Sequence, residues 1–303
     1  LESTGNLKVI KLQATEMRSK YLIKHIIASF LLFSLLIAQL DANAQGRSKA
    51  GGRYVSPFGM LSLTGGIGIA YYMGDLRDGI NMKHLGLGPS LSIGGLYRLT
   101  EHVSARGEVR FYQVSADQKY AKNFHNNLSF KTFNPDINLG IQADLFALNS
   151  HPVVNPYLFG GLGFTLLNPK AKLDGTWYSL APLQTEGVKY SRTPLVFTGG
   201  IGVSIKASER LSVGAELCNN FVNSDYLDDV STVYPSADQL QSDLARRLSD
   251  RAPEIGLEPR EPGWHRGSAT NKDSYLFLQV RATYLIGNRT QAMERKKTRC
   301  PKF

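Results

Sequence analysis

Leu61-Ser62-Leu63-Thr64-Gly65-Gly66-Ile67-Gly68-Ile69-Ala70-Tyr71-Tyr72-Met73 is the stretch from which the fold can be read. Leu61, Leu63, Ile67, Ile69, Tyr71 and Met73 share one register, and Ser62, Thr64, Gly66, Gly68, Ala70 and Tyr72 share the other. Successive side chains of a strand point to opposite faces, so this alternation writes one greasy face and one face of small or polar groups. A soluble sandwich would pack the greasy face on a second sheet. Here the pattern returns seven more times, and the connections alternate between short and long. That combination is the pattern of a membrane β-barrel.

The repeats predict further strands over residues 87–99, 103–114, 132–147, 156–167, 195–206, 211–221 and 274–286. Short turns fall at 100–102, near 150–152 and at 207–210, and long connections at 76–86, 115–131, 168–192 and 222–272. Each strand reaches the ~9–11 residues needed to cross a bilayer when tilted. An even number lets the last strand pair with the first, leaving no unpaired edge in lipid. The expected fold is all-β, an eight-stranded antiparallel transmembrane barrel of OmpA-like size, with long extracellular loops and short periplasmic turns. A soluble sandwich or lipocalin-like can gives no reason for the loop asymmetry. A ten-stranded barrel, with an extra hairpin in the third or fourth loop, is the other alternative.

An interior eight strands wide is just filled by side chains. Along 103–114, Val103, Ala105, Val109 and Phe111 oppose Arg106, Glu108, Arg110 and Tyr112. Charges of both signs on one face suit a packed polar lumen in which each finds a partner. The expected lumen network is Arg106, Glu108, Arg110, Asp136, Asp144, Glu216 and Arg281, joined by Arg98 and Lys206. In 156–167, Tyr157 and Phe159 share the presumed inner register with Gly161 and Gly163.

Residues 1–16 match no recognisable element and read as upstream residues, either from a start placed too early or appended to the protein. From Met17 to Ala44 the chain reads as a signal peptide: Arg18, Lys20 and Lys24, an apolar run from Ile26 to Leu40, then Ala42-Asn43-Ala44 before Gln45. A transmembrane anchor is the competing reading, but the run is shorter than the ~20 residues a spanning helix needs. Residues 45–286 then form the barrel with its lead-in, and 287–303 a basic tail. In the periplasm, Arg289, Arg295, Lys296, Lys297, Arg299 and Lys302 could meet an acidic partner or lipid phosphates, or form a solubilising tail.

Composition agrees: 29 Gly and 14 Tyr in 303 residues, with mean hydropathy −0.20. The formal charge of +10 is spread over signal, loops and tail. Basic and aromatic residues do not interleave along a groove, so nucleic acid is not an expected partner. Cys218 and Cys300 lie far apart in sequence, and a disulfide between them is a minority reading.

The chain lacks a Gly-x-Ser-x-Gly elbow, a His-Glu-x-x-His pair and a phosphate-cradling glycine loop followed by Lys. No catalytic, cofactor or metal residue is assigned, although a rim site assembled from separate loops is a third reading. The densest unusual run is Asp225-Tyr226-Leu227-Asp228-Asp229-Val230-Ser231. Its carboxylates repel unless a divalent cation, backbone amides or nearby arginines such as Arg246 and Arg247 offset them. Residues 236–251 carry Leu240, Leu244 and Leu248 at helical spacing, which predicts a short surface helix. Phe124, Phe130, Trp177, Tyr178, Tyr226, Tyr234 and Trp264 make the loops richer in aromatics than solvent alone requires.

Several short elements follow one another along the chain: Tyr72-Met73-Gly74-Asp75-Leu76, Asn127-Leu128-Ser129-Phe130, Asn155-Pro156-Tyr157-Leu158-Phe159-Gly160-Gly161, Leu183-Gln184-Thr185-Glu186-Gly187, the Asp225 to Ser231 run, Arg266-Gly267 and Lys272-Asp273-Ser274-Tyr275. Together they resemble the PorG-like outer-membrane β-barrel family of Bacteroidota, a type IX secretion and gliding-motility component. The pattern departs from the family at Asn126, Val188 and Ser224. The resemblance implies a non-catalytic barrel in outer-membrane lipid, contacting a periplasmic ring lipoprotein and its soluble partner, with the outer-membrane translocon a further candidate. It also implies that Gly74, Asp75, Asn127, Phe130, Thr185, Glu186, Gly187, Asp225, Tyr226, Asp228, Asp229, Arg266 and Asp273 act as loop and rim determinants. A general OmpA-like barrel for envelope integrity or adhesion is the runner-up.

Overall fold

The computed structural model describes residues 59–77, 86–150, 152–208, 210–268 and 272–286. The signal, the cleavage site, the tail, His84, His151 and Cys300 lie outside these residues. Strand β1, Leu61–Met73, keeps the predicted bounds, as do β8, Leu195–Lys206, and β10, Ser274–Ile286. The others are β2 (Gly88–Arg98), β3 (Val103–Asp117), β4 (Ser129–Asp144), β5 (Val154–Thr165) and β9 (Leu211–Val222). β3 runs past its predicted end and β4 starts before its predicted beginning, because Ala116 and Phe130, both buried, continue the inward alternation of Val114 and Thr132; β4 stops at Asp144, short of the predicted 147.

Neighbouring strands pair in the order β3-β2-β1-β10-β9-β8-β5-β4, and β3 pairs with β4 to complete the ring. The closing seam is continuous: Leu61 lies opposite Ile286 and Met73 opposite Ser274, with every residue between in register. Eight strands therefore form a closed antiparallel barrel. The sheet also contains β6 (Lys170–Leu173) and β7 (Thr176–Ser179), a hairpin in the third long loop that meets β4 at Lys131. The extra hairpin of the ten-strand alternative is thus present, but it lies outside the ring. Asp174 and Gly175, both at positive φ, form its turn.

Parity sorts the side chains as the sequence implies. Ile67, Leu139, Leu158 and Val280 are 65%, 68%, 63% and 62% exposed on the outside, while Arg106, Glu108, Arg110, Asp136 and Glu216 are buried inside. Such a continuous apolar exterior suits hydrocarbon rather than water. Tyr157 and Phe159 do point inward, and β8 makes room for them. A Cβ on Gly202 would lie 2.2 Å from Tyr157 Cζ, and one on Gly200 2.4 Å from Phe159 Cζ. Lys206 differs from expectation: it sits at the end of β8, beside the turn, and is exposed.

The predicted helix is shorter than its leucine spacing suggests. A capping box at Ser236 and Gln239 closes a 3-10 turn, Leu240 reverts to extended backbone, and Ser242 caps the helix α1, Asp243–Ser249. Leu240 and Leu248 are still buried, so the apolar spacing recorded packing rather than one continuous helix.

The exterior yields a direct test. Leu139→Arg, at mid-strand, should destabilise folding into phospholipid vesicles by about 2–4 kcal/mol, read from urea titrations. Arginine placed instead at the exposed strand end, Lys206→Arg, should be neutral.

Candidate functional site

The lumen holds its charges in stacked layers along β3. Near the turns, Arg98 pairs with Asp144, which also accepts from Gln142 Nε2 at 2.9 Å. At the centre, Arg106 donates to Glu216 Oε2 at 2.8 Å and to Glu108 Oε2 at 2.6 Å, and Arg281 donates to Glu108 Oε1 at 2.9 Å. Tyr157 Oη donates to Glu216 at 3.1 Å, and the Phe159 ring lies 4.1 Å from the Arg106 guanidinium. Two cations and two anions thus neutralise one another in a layer that side chains fill. Above it Arg110 reaches Asp136 at 3.4 Å, Asn220 Oδ1 at 3.0 Å and Cys218 Sγ at 3.3 Å, while Tyr275 Oη donates to Asp136 at 2.6 Å. Cys218 is a buried free thiol. All seven residues expected in the lumen are there, divided among these three layers.

The loop-side rim carries the second assembly. Tyr72, the last inward residue of β1, is fully buried, and its hydroxyl lies 2.5 Å from Asp228 Oδ2 and 3.0 Å from Asp273 Oδ1. Asp228 Oδ1 accepts from the Val230 amide at 2.9 Å, and Asp273 Oδ2 from the Leu227 amide at 3.0 Å. Phe130 meets Tyr72 edge-on at 4.9 Å. Gly74 is required by this contact, because a Cβ there would lie 2.0 Å from Asp273 Oδ1 and 2.1 Å from Tyr72 Oη.

Glu186 and Arg266 supply the ion pair of the same cluster, 2.9 Å apart with both side chains 2% exposed. Glu186 also accepts from the Ser231 amide at 2.9 Å and the Thr232 hydroxyl at 2.9 Å. Arg266 donates to the backbone carbonyls of Asp229 at 2.6 Å and Ser249 at 3.2 Å. Asp229, at φ 68°, accepts from the Thr185 hydroxyl and from Tyr190 Oη at 2.6 Å, and Tyr190 stacks on Tyr226 at 4.3 Å. Asp75 accepts from the Ser268 amide. Asn127 stands to one side, at φ 53°, donating to the Arg251 carbonyl at 3.1 Å. Gly187, at φ 69°, makes the turn after Glu186.

Burial raises the Asp229 carboxyl to about 6, against the opposing pull of Arg266, Thr185 and Tyr190. Burial likewise raises Asp228 and Asp273 well above the ordinary carboxylate range, each pushed further by neighbouring carboxylates. The Arg266 guanidinium rises because Glu186 and Asp229 outweigh the cost of burying it. Among the described residues no three His, Cys, Asp or Glu side chains are placed to hold a metal ion.

The cations expected beside the acidic run are elsewhere: Arg246 pairs with Asp243 at 2.8 Å and Arg247 with Asp174 at 2.8 Å, both well exposed. Arg266, some forty residues along the chain, takes that place. Ser249 and Thr232 were not singled out from sequence, and nothing periodic marks them. Tyr72 could have been found, since it is a bulky inward residue at the rim of a strand otherwise lined by small groups. Outside the cluster, a recess of about 260 Å³ is lined by Asn123, His125, Asn126, Arg260, Trp264 and His265.

A family model described as the outer membrane protein beta-barrel domain matches residues 28–232. The chain belongs to that family. The barrel therefore resides in outer-membrane lipid. Among solved structures, Neisserial surface protein A matches at 13% identity over 74% of this chain and 96% of its own, with a TM-score of 0.39. Ail of Yersinia pestis, in complex with the heparin analogue sucrose octasulfate, matches at 10% over 76% and 99%, TM-score 0.38. The N-terminal barrel of Pseudomonas aeruginosa OprF matches at 11% over 75% and 98%, TM-score 0.34. No curated protein matches the sequence.

Both assemblies can be tested by removing one cation. Arg106→Met leaves Glu108 and Glu216 short of a partner inside the barrel, and Arg266→Met does the same to Glu186 in the cap. Each should cost about 3–5 kcal/mol. The first should lower the urea midpoint of the whole barrel, whereas the second should expose residues 223–273 to protease while the barrel stays folded.

Proposed function

We propose that this barrel is a non-catalytic component of a type IX protein secretion machinery, linked to a periplasmic ring made of a lipoprotein and its soluble partner. The observation that carries the reading is the convergence of the motif residues. Gly74, Asp75, Thr185, Glu186, Asp225, Tyr226, Asp228, Asp229, Arg266 and Asp273 come from five segments and surround one buried cluster. Residues serving loop shape alone would not need to share hydrogen-bond partners across the rim. The neutral lumen quartet also supports a structural role, since passage of a solute would have to break buried ion pairs.

The runner-up is a general OmpA-like barrel serving envelope integrity or adhesion, which the family assignment also suits. An enzyme at the rim has less support. The ring nitrogens of His102 and His265 lie beside backbone carbonyls at 3.0 and 3.4 Å, and His125 sits against Phe124.

Deleting the gene should abolish delivery of secreted cargo to the cell surface, with restoration on complementation. The tagged protein, extracted in mild detergent, should bring the ring lipoprotein and its partner with it. Intact cargo delivery and recovery of the barrel alone would overturn this reading and favour the envelope or adhesion one.

A further inference from the structure

The Tyr72 hydroxyl has one proton and two carboxylate neighbours, Asp228 Oδ2 at 2.5 Å and Asp273 Oδ1 at 3.0 Å. Donation to one leaves the other facing an oxygen lone pair, and that contact attracts only when the second carboxyl carries a proton. The carboxyls are buried, so water does not screen their repulsion. A second observation points the same way. Asp225 is 8% exposed, and neither of its carboxylate oxygens has a hydrogen-bond partner. Ser231 approaches it short of hydrogen-bond geometry, and the charges facing it are the anions Asp75 and Glu186. Arg266 is committed to Glu186 and Asp229.

We propose that Asp228, Tyr72 and Asp273 form a proton-binding latch: one proton beyond the tyrosine's own, shared between the two carboxyls, holds the longest loop onto the end of β1. Loss of that proton releases the loop. The latch joins segments 156 and 201 residues apart in sequence. It closes over the plugged lumen, so what it controls is exposure of the loop and not a pore.

The direction follows from linkage. Burial, then repulsion from Asp273 and Asp75, raises Asp228; burial, then Asp225 and Asp75, raises Asp273. Asp225 is carried by burial to about 7. The remaining titratable and charged groups of the cluster are Glu186 and Tyr190 from the third loop and Tyr226, Asp229 and Arg266 from the fourth. The closed loop therefore binds more protons than the open one. Closure is strongest near the ordinary carboxylate range, at about pH 4, and weakens as pH rises through the closed-state values, by about ten-fold per unit of difference.

The test is hydrogen exchange on the full barrel in detergent micelles with a chelator present, corrected for the intrinsic pH dependence of exchange. Protection of the Leu227 and Val230 amides should fall about ten-fold or more between pH 5 and pH 9. Asp273→Asn supplies a neutral donor to Tyr72 and should shrink that fall, leaving only the part due to Asp225 and Asp229. Asp228→Asn should do the same and serves if the first variant fails to fold. Tyr72→Phe should lose protection at every pH. Protection that stays flat with pH in the unaltered protein would overturn the latch, as would an unchanged transition in both Asn variants. Recovery of protection at pH 9 on adding millimolar Ca²⁺ alone would also overturn it, by making the missing charge a cation's.

Discussion

Arg106, Arg281, Glu108 and Glu216 are buried together in the middle of the barrel, where they serve as one another's charge partners, and that constraint orders much of the rest. Buried ion pairs are weak evidence of net stability, because desolvation consumes most of what the attraction returns. Their effect here is on register. A slip of one residue in β3 would turn Arg106, Glu108 and Arg110 onto the face where Phe111 and Val109 now stand, against lipid. The quartet therefore excludes neighbouring registers at a cost far larger than its own net contribution. The glycines of β8 answer the same constraint beside it, leaving space that Tyr157 and Phe159 of the neighbouring β5 take up.

The rim is built on a different balance. In the lumen two guanidiniums face two carboxylates. In the cap Arg266 faces Glu186 and Asp229, while Asp75, Asp225, Asp228 and Asp273 crowd nearby. Neutral donors make up the difference: Thr185 and Tyr190 to Asp229, Tyr72 to its pair, and backbone amides to Asp75, Asp228 and Asp273. This explains why the motif residues are hydroxyls, carboxylates and glycines rather than additional arginines. Glycine at 74 leaves the room the hydroxyl needs, and positive φ at Asp229 turns the acidic run so that its neighbours face different donors.

Parity was legible in the sequence because a strand in a closed barrel has two environments and a period of two. Lumen residues such as Asp136 and Glu216, and the seam of β1 with β10, follow from it directly. The cap was legible only as a set of motifs. Its contacts join residues such as Glu186 and Arg266, 80 positions apart, through loops with no repeating pattern, so neighbours in sequence were poor guides to partners. Arg246 and Arg247 lay nearest the acidic run yet pack outward from α1, because that helix turns Ala245 and Leu248 inward instead. The hairpin β6–β7 could be narrowed only to a choice of loops for a related reason: four-residue strands carry too few alternations to stand out.

The two charge balances also divide what can change from what cannot. Opening the lumen would separate oppositely charged partners with nowhere else to go, so that layer is bound to stay closed while the barrel is folded. Opening the cap separates like charges and returns carboxylates to water, which favours the charged form. Desolvation therefore opposes motion in the first case and assists it in the second. The hydrogen bonds of Tyr72, Thr185 and Tyr190, with the single guanidinium of Arg266, hold the loops against that pull. Any signal this barrel passes to a partner through a change of shape has to start in those few bonds.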